Sequence, residues 1–204
     1  YLLVILIMFF LGSAYPLGKF GLNASMNPLL FGSLRMGCVF IFLIPFCKII
    51  IPEKRYILPL IGFSICMGAG VNMFLYLSID TVSLLAPITI GAQLSIPFSI
   101  LISSLFLKES VSLKKWIFIF SSFLGIMLIA FDPKILDEIY GLLLVFAMAF
   151  FYGLSQVFSR SIKDLDIKFT NSIMGFVGFV ILIIFSHIFE GNIIDQIKKI
   201  EIAG

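Results

Sequence analysis

The chain has 204 residues, 61% of them hydrophobic and 12% charged, with a net charge of +3 and a mean hydropathy of +1.17. A soluble domain carries about 25% charged residues, and here the charges gather in short clusters between long apolar runs. That pattern excludes a water-soluble domain, the lack of alternating ten-residue segments excludes a membrane β-barrel, and the scatter of basic residues over short links excludes a nucleic-acid-binding patch. What remains is an all-α polytopic membrane helix bundle, whose first partner is the lipid bilayer.

Seven apolar segments follow one another. The first, Tyr1–Gly18, has no basic stretch before it and reads as a membrane helix instead of a signal peptide; it carries Tyr15 beside Pro16. The second, Pro28–Phe46, opens at Asn27-Pro28, a helix-start signal, and holds Arg35, the one charge within a span. The third, Tyr56–Ile79, carries Ser64, Gly68, Asn72 and Tyr76 every four residues, which predicts a polar stripe along one helix face.

The fourth segment, Leu84–Leu107, opens near Ser83 and runs 24 residues without a formal charge. As a helix it is about 36 Å long, enough to cross a bilayer core of about 30 Å. Gly91, Ser95, Ser99 and Ser103 recur every four residues. In lipid, helices associate through close backbone approach along such small-residue seams, so this is expected to be a core helix. Pro97 lies in the seam and removes a backbone donor, predicting a kink near mid-membrane. Gln93 sits two residues from the seam.

The fifth segment, Trp116–Phe131, stops at Asp132-Pro133. The sixth, Tyr140–Phe158, offers Ser155 and Gln156. The seventh, Phe169–Phe189, has a packing face at Asn171, Gly175 and Gly178, with His187 near its interfacial end. From Glu190 to Gly204 the chain is mixed, a loop or an amphipathic interfacial piece.

Chemistry is sparse. All eleven Asp and Glu lie in links, helix ends or the tail, and there is one His. No carboxylate is deep enough for a proton relay, and no nucleophile–base pair or metal spacing exists at depth. We therefore expect no enzyme, no metal and no cofactor. Cys38, Cys47 and Cys66 read as small apolar packing residues.

Amides and hydroxyls inside a membrane must find partners or a wet cavity. The pathway candidates are Tyr15, Arg35, Asn72, Tyr76, Gln93 and Gln156; the packing candidates are Gly91, Ser95, Pro97, Ser99 and Ser103. For Arg35 two readings stay open: an anchor for an anionic solute group, or a snorkelling side chain that serves packing alone.

The links after segments two, four and six hold nine Lys and Arg, against four in the other links and tail. By the positive-inside rule the even links and the N-terminus are cytoplasmic. Residues 9–19 also align on residues 150–160, with Phe9, Phe10, Gly12 and Lys19 on Phe150, Phe151, Gly153 and Arg160. A repeat of five helices, an odd number, re-enters the membrane from the opposite side, the inverted topology that transporters use.

Ala86, Pro97 and Leu107-Lys108-Glu109, then Trp116 and Gly125-Ile126, resemble the end of an EamA domain of the drug/metabolite transporter superfamily. Phe10, Gly12, Lys19 and Arg35 also fit that family's pattern, while Phe118 departs from it where many relatives carry glycine. The resemblance implies residues 1–132 as a first EamA repeat and 140–204 as the start of a second. It also implies a ten-helix, 5+5 protein of which about three helices lie outside this chain, so that the chain is expected to be a piece, inactive unless joined by another copy or fragment. The implied function is transport of small metabolites (amino acids or related compounds, or drugs) across the plasma or inner membrane by alternating access. A dimer is possible within this reading. The small four-helix exporters of the superfamily depend on a glutamate in their first helix, which this chain lacks. The competing expectation is a non-transporting scaffold or partner-binding bundle.

Overall fold

The computed structural model describes residues 2–23, 26–47, 52–106, 112–130, 139–193 and 196. The described elements are helical throughout. They are α1 (Leu2–Asn23), α2 (Pro28–Leu43) with a short 3₁₀ turn at Ile44–Phe46, α3 (Lys54–Phe63), a π-helix (Ser64–Val71), α4 (Asn72–Thr81), α5 (Leu85–Ala92), α6 (Ser95–Phe106), α7 (Leu113–Ala130), α8 (Ile139–Ser161), α9 (Ile167–Phe185) and a closing π turn (Ser186–Glu190). Five continuous stretches are long and apolar enough to cross a membrane: Pro28–Phe46, Lys54–Thr81, Leu85–Phe106, Ile139–Ser161 and Ile167–Glu190. The other two expected spans, α1 and α7, are helices of 22 and 18 residues. The Asp132-Pro133 stop, Leu107 to Glu109 and most of the tail fall outside the described residues.

Two expected helices are each divided. The fourth segment breaks at Gln93-Leu94 into α5 and α6. Proline clashes with the carbonyl four residues before it, and for Pro97 that residue is Gln93. Tight i→i+3 bonds, Leu94 N–H to Gly91 and Ile96 N–H to Gln93 at 3.0 and 3.1 Å, carry the chain through the break. Pro97 itself falls in the first turn of α6, where no donor is needed. α5 starts at Leu85 behind Leu84, with no side-chain cap, so the start lies two residues beyond Ser83.

The third segment contains the π-helix, centred on Gly68-Ala69-Gly70. Its wider turn accompanies a close approach of α9. A Cβ on Gly178 would lie 2.7 Å from the Gly68 carbonyl oxygen and 3.0 Å from its Cα. Only two glycines allow backbones this near. The π turn also bends the expected stripe: Gly68 meets α9, Asn72 meets Met36 of α2, and Tyr76 stacks edge-on against Phe31, 5.0 Å between ring centroids.

α2 packs along α9, where a Cβ on Gly175 would lie 2.9 Å from the Phe40 backbone nitrogen. α8 lies against α6, α4, α5, α3 and the π-helix. The seam of α5 and α6 faces α8: Gly91 meets Val145, and a Cβ on Gly153 would lie 2.9 Å from the Ser99 nitrogen and 3.0 Å from the Ser95 oxygen. Gly91, Ser95, Pro97, Ser99 and Ser103 are all buried. Ile79, Ile88 and Met148 are fully enclosed in the core cluster that includes α5 and α8, and Leu182 in the one between α2 and α9. Many aromatic and aliphatic side chains of α1 and α7 point outward instead, among them Phe9, Phe20, Phe118 and Leu128, as lipid-facing surfaces do.

Polar contacts tie the helix ends. Lys19 Nζ donates to the carbonyls of Ile79 (2.7 Å) and Val82 (2.9 Å) at the end of α4, a cation on the negative pole of a helix. Glu190 accepts from the backbone N–H groups of Leu29 (2.7 Å) and Leu30 (3.1 Å), and from Ser186 Oγ at 2.8 Å. Asn27 begins α2 as expected, but its side chain makes no capping bond; the carboxylate from the far end of the chain does that work. The chain leaves the last π turn through Gly191 at φ 93°, a conformation suited to glycine.

Candidate functional site

A polar cavity lies among α1, α2, the π-helix, α4, α8 and α9. It holds about 220 Å³ and is lined by Tyr15, Arg35, Asn72, Tyr76 and Tyr152, with Met36, Met67 and Met174 among its apolar walls. Tyr15 comes from a helix bearing Pro16, which cannot bond the Gly12 carbonyl. Arg35 stands one turn after Phe31 on α2, and Asn72 and Tyr76 stand one turn apart on α4.

The site is built outward from the π-helix. Asn72 is 3% exposed, so its amide requires internal partners. Its Nδ2 donates to the carbonyls of Met67 (2.9 Å) and Gly68 (3.1 Å). Those two bonds set the amide's orientation and leave Oδ1 facing α2. Arg35 Nη1 donates to that oxygen at 2.9 Å. The guanidinium is thus held by Asn72 and also hydrogen-bonds with Tyr76, while Arg35 as a whole remains exposed. A guanidinium has five N–H donors, and among the described residues the cavity walls hold no Asp or Glu.

Of the six expected pathway residues, Tyr15, Arg35, Asn72 and Tyr76 share this cavity. Gln93 lies elsewhere, exposed at the α5–α6 break, where Pro97 has opened the helix. Gln156 is half-buried, with Nε2 3.5 Å from Ser95 Oγ, and belongs to the α6–α8 contact. Tyr152 was not among the expected residues. Its signal was available, since it stands one turn before Gln156 on the same helix face. Glu190 had no local signal, because its partners lie 160 and 161 residues away.

Other features stay apart from the cavity. His187 is exposed in the last π turn. Cys38 is exposed, Cys47 half-buried and Cys66 buried, all free. Among the described residues no three His, Cys, Asp or Glu come together as metal ligands. Arg160, which the repeat aligns with Lys19, donates to Ser103 Oγ at 3.1 Å, so each of these basic residues reaches a neighbouring helix.

The family model for EamA-like transporters matches residues 1–131. The chain belongs to the EamA-like transporter family. It is therefore a multi-pass membrane protein of the drug/metabolite transporter type, in a family of transporters. No curated protein and no solved structure gives a match.

Proposed function

We propose that this chain carries a small metabolite, an amino acid or a related compound, across the cell membrane by alternating access, with the Arg35 cavity on its path. The observation that carries this reading is convergence. Polar side chains from four helices, Tyr15, Arg35, Asn72 with Tyr76, and Tyr152, line one space. Its volume of about 220 Å³ is below the usual range for drug-sized ligands, about 300–1,000 Å³, and favours a compact solute.

In the reading we favour, seven helices cross the membrane as part of a ten-helix, 5+5 inverted repeat, with α8 opening the second copy. The tight α2–α9 contact supports it, because in this reading these are the second helices of the two copies and their contact lies at the interface between repeats. The N-terminus lies in the cytoplasm. The test is uptake into proteoliposomes holding the full-length protein, against a broad panel of amino acids and small metabolites. Saturable uptake that is lost on Asn72→Leu supports the reading. No movement of any solute, with the protein folded, refutes it and leaves a scaffold.

A further inference from the structure

We infer that the cavity recognises a carboxylate, with Arg35 as its anchor and Asn72 as the residue that positions the anchor. This rests on the transport reading above and names the substrate class: a small monocarboxylate with a compact apolar body.

A cation within a membrane bundle needs a counter-charge, a polar partner or water. Arg35 has polar partners in Asn72 and in Tyr76, whose hydroxyl hydrogen-bonds with the guanidinium, and among the described residues that line the cavity none is Asp or Glu. An acid group entering the cavity would therefore meet a cation that no described lining residue neutralises. A guanidinium has five N–H donors and matches a carboxylate with two parallel N–H bonds; the Asn72 bond at Nη1 and the Tyr76 contact leave donors for such a pair. Asn72 cannot rotate away without giving up its bonds to Met67 and Gly68, so the fork is presented in a set direction. The remaining walls are aromatic and thioether, from Tyr15, Tyr76, Tyr152 and three methionines, together with aliphatic Val39, Val71 and Leu75. A cavity of about 150 Å³ accommodates benzene; the space here, about 220 Å³, admits one ring or a branched chain together with an acid group.

The test uses the full-length protein in nanodiscs and equilibrium dialysis of labelled probes. The probes are monocarboxylates from acetate to 3-phenylpropionate, with 3-phenylpropanamide and phenethylamine as the neutral and cationic counterparts. We expect the best acid to bind about tenfold or more tightly than its amide, the discrimination of a charge-assisted hydrogen bond. Arg35→Gln removes that preference and Arg35→Lys retains part of it. Asn72→Asp places a carboxylate on the guanidinium and abolishes acid binding, a loss that a purely structural role for Asn72 does not produce in a variant melting at the wild-type temperature.

Equal binding of acid and amide, no binding of any acid, or undiminished acid binding in a folded Arg35→Gln protein overturns the inference. Its failure is separable from that of the transport reading. Uptake of a neutral solute unaffected by Arg35→Gln leaves a carrier without this anchor. Acid binding that depends on Arg35, with no uptake in proteoliposomes, leaves the anchor without a carrier.

Discussion

Gly178→Ala tests whether the glycine crossing between α9 and the π-helix sets both stability and the site. The new methyl would stand 2.7 Å from the Gly68 oxygen and 2.8 Å from its carbonyl carbon. Both are backbone atoms, so no side chain can swing aside. Regaining an ordinary 3.4 Å contact requires the oxygen to withdraw by about 0.7 Å, the difference between 3.4 and 2.7. Overpacking of this kind costs about 1–3 kcal/mol. The same oxygen accepts from Asn72 Nδ2 at 3.1 Å, and Asn72 in turn holds Arg35, so a shift of this carbonyl reaches the cavity. Gly12→Ala and Gly125→Ala are the controls, since a Cβ on either meets nothing within 4 Å and surface changes stay within about 0.5 kcal/mol. Equilibrium unfolding in mixed micelles reads the difference. A Gly178→Ala protein as stable as the two controls would refute the close crossing.

Glu190→Ala leaves the N–H groups of Leu29 and Leu30 without their carboxylate; the expected cost is about 0.5–2 kcal/mol, with faster amide hydrogen exchange at those two positions, and unchanged exchange there counts against the cap. Lys19→Met removes two bonds to the end of α4 and should cost about 1 kcal/mol in melting experiments, while Lys19→Arg keeps most of it; equal losses in both variants refute the capping role. For orientation, in a background with Cys38, Cys47 and Cys66 replaced, Asn23→Cys should react with a membrane-impermeant thiol reagent in intact cells and Lys163→Cys should not. The reverse pattern inverts the topology.

The local pattern already contained much of the site. Asn72 and Tyr76 stood on one stripe, Arg35 was the lone charge in a span, and Tyr15 sat beside a helix-disturbing proline. Each is a departure from apolar composition, and such departures are visible residue by residue. Gln93 and Gln156 made the same local signal, yet they went elsewhere. Polarity marks a residue that needs a partner without saying which partner it finds. For Gln93 the proline break intervened, and for Gln156 the α6–α8 contact did.

The sequence by itself determined the class of molecule: 61% hydrophobic content with 12% charge places the chain in lipid, where only helices and closed barrels satisfy the backbone, and long apolar runs without ten-residue alternation leave helices. It also determined the small-residue seam that faces α8, since a four-residue spacing is a helix face whatever the neighbour. Only the tertiary structure decided what met each face. The π-helix at Ser64–Val71 arose where Gly68 met Gly178, and Glu190 reached the start of α2 across 160 residues. Those outcomes depend on how near two distant backbones come, and helical periodicity, which describes one strand of chain at a time, holds no term for that distance.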